Sequence, residues 1–242
     1  MLVSASAHKH RRYGNFEIEL DTGNETIKPV DCEILLGASL SNNFQWNQHV
    51  RDGKKAILSS LNKKNTALVK IAQITDFKTR KNIGTSLIMP TLSYITEVYG
   101  SCSEYLLDAL QVQQNKAAKI ITKLPFRTPT QTFLLQCDWL SVRQLVKYCS
   151  LTLLHKIMIE KKPQYIFDRL VPRSMMGMRE TRRTDHLCLQ MKNYKTVTAS
   201  RTFIPRSVAL WNSLPSRLRE ITDIKSFKIQ LKTFIKAHVP VK

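Results

Sequence analysis

From Asn47 onward the apolar residues of this 242-residue chain recur every three, four or seven positions. That spacing collects them on one side of an α-helix and scatters them over both faces of a strand. Val50, Ile57, Leu61, Leu68 and Ile71 mark the first stripe, with Arg51, Lys54, Lys55, Lys63 and Lys64 off it, so one long amphipathic helix is expected from Asn47. A second is expected from Asp76, whose carboxylate can accept from the free amides of a first turn, toward Tyr99, with a kink at Pro90 and a stop at Gly100. Ser101 and Glu104 have the spacing of a capping box and open a third helix. Its apolar face holds Leu106, Leu110, Ala117, Ile121 and Leu124, its separate basic stripe Lys116, Lys119 and Lys123, and Pro125 and Pro129 close it. Ser141 and Gln144 repeat the capping pattern and open a fourth helix through Leu145, Leu151, Leu154 and Ile157, ending before Pro163. A last helix, capped by Thr222 or Asp223, sets Ile224, Phe227, Leu231 and Ile235 on one face and Lys225, Lys228, Lys232 and Lys236 on another.

Before Asn47 the period is two. Asn15-Phe16-Glu17-Ile18-Glu19-Leu20 alternates polar and apolar residues, Thr22-Gly23-Asn24 forms a turn, and Glu33-Ile34-Leu35-Leu36 follows as a further strand. The expected fold is therefore mainly α: a short N-terminal β-hairpin or meander, then an amphipathic helical bundle and a basic C-terminal helix. An isolated pair of strands is marginal in water. An exposed apolar patch is accordingly expected near Ile18, Leu20, Ile34 and Leu36, the kind of surface a further element would cover. Residues 1–46 make up the β segment, 47–130 the bundle, 131–172 a helical extension, 173–200 an aperiodic basic linker, and 201–242 a helical tail.

Charge narrows the partner. Lysine and arginine number 38 against 18 acids, a formal charge of +20 with a sequence pI near 10.0. Residues 1–46 carry four basic and six acidic side chains, so the remainder carries 34 and 12. A surplus of that size, spread over the helical region, points to a polyanion. The run His8-Lys9-His10-Arg11-Arg12 is read as a solvated terminus in preference to a localisation or phosphate-binding patch. No run of about 18 apolar residues exists, which argues against a membrane partner. The five cysteines, at 32, 102, 137, 149 and 188, form no CxxC pair and follow no leader, the pattern of reduced intracellular thiols; nuclear and cytoplasmic locations stay open.

Catalytic machinery is missing from the pattern. The nine aspartates, at 21, 31, 52, 76, 108, 138, 168, 185 and 223, contain no adjacent pair, and there is no P-loop, GxSxG or HExxH. The six histidines and five cysteines lack the short fixed spacings zinc requires. No catalytic residue, metal site or cofactor is expected. Trp46, Trp139 and Trp211 lie beside apolar or turn residues and are expected to pack in the core.

Several blocks, taken in order, carry a resemblance. Leu36-Gly37 through Trp46 and His49 is similar to the "LG…L.W..H" motif that follows the palm of non-LTR (LINE-type) retrotransposon reverse transcriptases. Pro90-Thr91-Leu92-Ser93-Tyr94 with Tyr99-Gly100 resembles "P.L.Y…WG", with tyrosine for tryptophan, and Leu110-Gln111 through Gln114-Asn115-Lys116-Ala117-Ala118-Lys119 resembles "LQ..QNRAAR", with lysines for arginines. Trp139-Leu140 with Arg143, then Trp211-Asn212-Ser213-Leu214-Pro215, Phe227-Lys228 and Leu231-Lys232, resemble "WL…R" and "WN.LP…FK..LK".

The resemblance covers roughly 200 residues and implies the end of a palm in 1–46, a thumb-like bundle in 47–130 and a C-terminal tail, truncated from a transposable element's RNA-directed DNA polymerase. The family's palm aspartates, including its F/YADD turn, have no counterpart here, and magnesium would require that palm. A thumb holds template and primer by the backbone. The implied nucleic-acid-binding residues are Lys54, Lys55, Lys63, Lys64, Lys116, Lys119, Lys123, Lys225, Lys228, Lys232 and Lys236, meeting phosphates of RNA and DNA without reading sequence. Two other readings stay open: part of an active polymerase whose palm lies upstream or on another chain, and an interaction protein whose basic faces meet acidic proteins.

Overall fold

A computed structural model describes residues 20–21, 26–27, 30–53, 55–125, 127–173 and 187–239. Four short strands, β1 (Leu20–Asp21), β2 (Thr26–Ile27), β3 (Cys32–Leu35) and β4 (Ala38–Ser41), precede a single π-helical turn, α1 (Gln48–Asp52). The helices that follow are α2 (Ile57–Ile74), α3 (Phe77–Ser93), α4 (Thr96–Tyr99), α5 (Glu104–Thr122), α6 (Thr130–Cys137), α7 (Val142–Glu160), α8 (Gln164–Phe167), α9 (Val197–Arg201), α10 (Phe203–Asn212), α11 (Ser216–Arg219) and α12 (Ile224–His238). The chain is mainly helical, with short antiparallel strand pairs ahead of a helical bundle, the class its periodicity predicts. It divides into two compact units, Met1–Leu92 with Cys102–Lys123, and Ser93–Ser101 with Leu124–Lys242. Residues 93–101, expected inside the 47–130 bundle, thus belong to the second unit.

In the first unit β1 pairs with β2, and β3 pairs with β4 with Leu35 opposite Ala38. The two residues between, Leu36 (φ 48°) and Gly37 (φ 79°), are both left-handed, as a two-residue primed turn demands. The Leu-Gly pair of the sequence motif is thus the tip of a hairpin, and its partner strand Ala38–Ser41 is one the sequence reading did not mark. Ala38, Ser39 and Ser41 face inward, whereas Ile34, Leu35 and Leu36 are 44%, 59% and 84% exposed. Ile18 and its neighbours lie outside the described residues.

The long helix expected from Asn47 is interrupted. Gly53 N–H donates to the Gln48 carbonyl at 2.8 Å, and a Cβ at Gly53 would stand 2.1 Å from that oxygen, so only glycine permits the chain to close α1 and turn into α2. Ile57, Leu61, Leu68 and Ala72 then form the buried stripe of α2. The end of α3 also differs from expectation. Asp76 accepts from the Lys78 and Thr79 amides, and Pro90 lies inside the helix, but the chain leaves it after Ser93, passes Ile95 in the left-handed region, and makes only one further turn, α4.

Helix α5 starts at Glu104 with Ser103, not the expected Ser101, at its N-cap, and the Ser101 hydroxyl donates to the Val98 carbonyl. Leu106, Leu110, Ala117 and Ile121 are buried as expected. Two of its polar residues, Gln111 and Gln114, are buried too: Gln111 Nε2 donates to Gln114 Oε1 at 2.9 Å and to Asn115 Oδ1 at 2.8 Å, and Asn65 of α2 donates to the Gln113 carbonyl at 3.1 Å. Arg80 of α3 is buried with them. Its Nε donates to the Ile121 carbonyl at 2.9 Å, near the end of α5, and another guanidinium nitrogen donates to the Thr75 carbonyl at the end of α2. The last carbonyls of a helix lack internal donors and carry its negative dipole end, so a buried guanidinium satisfies both helices at once.

The second unit is built around α7. The box Ser141–Gln144 is present in both directions, at 3.3 and 2.9 Å. Helix α6, which the sequence reading did not mark, follows Pro129 and ends at Asp138 in the left-handed region. Phe133, Trp139, Leu154, Trp211, Phe227 and Leu231 are buried. Of the expected 173–200 linker, residues 174–186 lie outside the described residues; beyond them Leu189 bridges Pro172 in antiparallel fashion, and α9 starts at Val197. Asp223, not Thr222, caps α12 by accepting from Ser226 N–H at 2.7 Å.

Replacing Arg80 by methionine keeps its bulk but strips a donor from the Ile121 and Thr75 carbonyls. Urea unfolding of Arg80→Met is expected to show a loss of about 2–4 kcal/mol, the cost of burying two unpaired acceptors.

Candidate nucleic-acid interface

The expected basic residues divide between the two units. In the first, Lys55 and Lys63 are exposed on or just before α2, a helix with no acidic residue. Lys70 lies seven residues beyond Lys63 and so shares its face; the sequence reading passed it over although the spacing carried the signal. Lys64 is not available in the same way. Its Nζ donates to the Leu87 carbonyl at 3.1 Å and to the Thr91 hydroxyl, tying α2 to α3. Lys54 lies outside the described residues. On α5, Lys116 is exposed and Lys119 half-buried one turn on, whereas Lys123, exposed, is the left-handed residue that ends the helix and so leaves the expected stripe; cations here meet the negative end of the dipole.

In the second unit the four lysines of α12 share a stripe separate from that of Phe227, Leu231 and Ile235, and this helix too has no acidic residue. Lys225 and Lys228 are exposed. Lys232 and Lys236, one turn apart, both donate to the Asp138 carboxylate, Lys232 at 2.6 Å. Partial burial would raise the Asp138 pKa, but the two hydrogen bonds and two positive charges outweigh it and hold the carboxyl below the ordinary carboxylate range. The same pair anchors α12 to the turn that links α6 to α7. Half of this lysine stripe is therefore structural.

The residues that carry the family resemblance sit largely inside. His49 Nδ1 accepts from Ser39 N–H at 3.3 Å, and its ring meets the edge of Trp46, which is half-buried, at 6.0 Å. The indole of Trp211, 1% exposed, donates to the Leu187 carbonyl at 2.9 Å. Next to it, the Asn212 side chain donates to the Leu189 carbonyl at 2.8 Å and accepts from its amide at 2.9 Å, mimicking a strand partner. Arg219 donates to the Asn212 carbonyl at 3.2 Å. Trp139 is buried as well, as expected. His155 stacks on Phe227 at 4.0 Å, and its Nε2–H donates to the Ile221 carbonyl at 2.6 Å.

Burial lowers the pKa of both His49 and His155; at His155 it overrides the Ile221 carbonyl and the Asp223 charge. Burial also pushes the Cys149 thiol up to about 12, with the Glu97 charge adding to it, so no reactive thiolate forms there near neutrality. No disulfide joins the cysteines. Among the described residues no group of three His, Cys, Asp or Glu side chains could hold a metal ion, and no helix is long and apolar enough to cross a membrane. Comparison with protein-family models, curated proteins and solved structures finds no match. The chemistry these surfaces support is electrostatic: exposed ammonium groups on stiff helices.

Two pH effects separate the buried and exposed groups. A histidine whose folded pKa lies below its unfolded value of about 6.5 contributes stability that is complete above that pH and is lost as pH falls below it. The urea midpoint is therefore expected to drop between pH 7.5 and 5.5, and the drop is expected to shrink in His49→Gln with His155→Gln. Asp138 has the carboxylate sign: its contribution is full above an unfolded pKa of about 3.9 and disappears only as pH falls through the lower folded value. Because its side chain is 57% exposed, Asp138→Asn at pH 7 is expected to cost only about 0.5–1 kcal/mol.

Proposed function

We propose that this chain is a non-catalytic fragment of a non-LTR retrotransposon reverse transcriptase, and that it keeps a basic helical surface which grips the backbone of template and primer. The observation that carries the reading is that each unit has a helix devoid of acid with exposed lysines: Lys63 on α2, with Lys55 just before it, in the first unit, and Lys225 and Lys228 on α12 in the second. Ammonium groups on such faces contact phosphates and release counterions, which gives affinity without sequence preference. The family's own activity, RNA-directed DNA polymerisation, belongs to palm aspartates for which this chain offers no equivalent. A second reading is favoured by the exposed apolar side chains of β3 and its turn. Ile34, Leu35 and Leu36 would pack against a palm supplied in cis or in trans, and the chain would then be the thumb of a working polymerase.

The test is binding of the purified chain to a labelled RNA–DNA hybrid and to duplex DNA across a salt series. Affinity is expected to fall linearly with salt on logarithmic axes, at about 0.9 per phosphate neutralised, and to differ little between sequences. Lys116→Gln with Lys119→Gln and Lys123→Gln is expected to lower that slope by roughly 2–3 if all three meet phosphates. Asp138→Asn, which releases Lys232 and Lys236, is expected to steepen it. No binding at low salt would remove the proposal.

A further inference from the structure

The stretch Met191–Tyr194, with α9 and α10, lines an open cavity of about 550 Å³ within the second unit. That volume falls in the roughly 300–1,000 Å³ typical of sites for small organic ligands. Pro205, Ala209 and Leu210 supply apolar surface, and Tyr194, 39% exposed, presents an aromatic ring to it. Lys192 and Arg201 are exposed at the same cavity, and none of its lining residues is acidic. Arg206, which also lines it, is fixed by donation to the Glu97 carbonyl at 2.7 Å and to the Ser150 hydroxyl at 3.3 Å, so its positive charge is held in place.

We propose that this cavity binds one unpaired nucleotide of a single-stranded nucleic acid, with the base stacked on Tyr194 and the flanking phosphates met by Lys192 and Arg201. The combination fits a nucleotide because that ligand joins a flat π-face to an anion within a few ångströms, and a ring beside cations recognises both. An acidic peptide would supply the charge but leave the ring and the apolar surface unused. A duplex keeps its bases stacked on one another and offers no free face to Tyr194. The cavity therefore differs in kind from the lysine stripes, which meet only backbone, and it selects single strands where they do not.

The experiment uses the full 242-residue chain, a fluorescein-labelled oligothymidylate carrying one 5-iodouracil, and a duplex DNA of the same length. Irradiation is expected to attach the iodouracil to the peptide containing Tyr194. Tyr194→Ala is expected to weaken single-strand binding about tenfold or more, the effect of losing one base–aromatic stack, while duplex binding stays as it was. Tyr194→Phe is expected to bind like the parent, and both variants to melt at the parent temperature because the side chain is partly exposed. Crosslinking confined to other peptides, unchanged single-strand affinity in Tyr194→Ala, equal loss of duplex binding, or displacement of the oligonucleotide by polyglutamate at equal concentration would each overturn the proposal. Single-strand binding that depends on Tyr194 with no duplex binding at all would uphold the cavity and remove the backbone grip proposed above.

Discussion

A backbone carbonyl withdrawn from water must find a donor, and Arg80 meets that requirement for two helices at once. Its guanidinium is buried where α2 and α5 end, and it donates to a carbonyl of each. The close approach of α3 to α5 follows from the same contact. Gly84, one turn beyond Arg80, leaves so little room that a Cβ there would stand 2.4 Å from the end of the Ile121 side chain. The lysines of α2 and α5 are then held on stiff rods whose buried sides are fixed by hydrogen bonds as well as by apolar packing, Asn65 to Gln113 and Gln111 to Asn115 among them.

The second unit answers the same requirement with different residues. Trp211 and Asn212 supply donors and an acceptor to the backbone of Leu187 and Leu189, a stretch with no helix of its own, and Arg219 secures the carbonyl of Asn212 in turn. These are among the residues that carry the resemblance to reverse transcriptases. His49 and Gln111, which meet the Ser39 amide and the Gln114 side chain, behave likewise. A sequence motif made of such residues marks a scaffold, because what it specifies is where buried polar groups find partners. Any binding chemistry falls to exposed side chains, of which Lys116 and Lys228 stand inside the motif blocks and Lys63 and Lys225 outside them.

This division explains what could be read from the sequence. Helical period, the Ser141–Gln144 box and the Asp223 cap are local: each depends on residues within one turn, so spacing alone exposes them. The break at Gly53 was equally local, since Asp52-Gly53 is a turn pair, but the continuing apolar spacing on either side masked it. By contrast, the roles of Arg80, Asn212 and Asp138 depend on partners 41, 23 and 94 or 98 residues away, and no one-dimensional pattern reports them. For the candidate site, the stripes of α5 and α12 were legible as stripes. Which lysines are committed was not, because Lys64 and Lys232 look identical to Lys63 and Lys228 until the acceptor opposite each is known.

The distinction between committed and exposed lysines bears on what kind of recognition the helices can offer. A stripe at three- and four-residue intervals places a charge every 5 Å or so along a helix rising about 1.5 Å per residue. A nucleic-acid duplex presents a phosphate charge for about every 1.7 Å of its axis. The two repeats share no common register, so sliding the helix along the groove exchanges one set of contacts for another of similar energy. Charges more than about 8–10 Å apart are screened from one another at ordinary salt, so only lysines on neighbouring turns of one helix reinforce each other. A net charge of +20 therefore implies attraction to a polyanion without implying a preferred position on it. Positional preference requires a contact that depends on a single nucleotide, and among the surfaces described the cavity beside Tyr194 has the shape to make one.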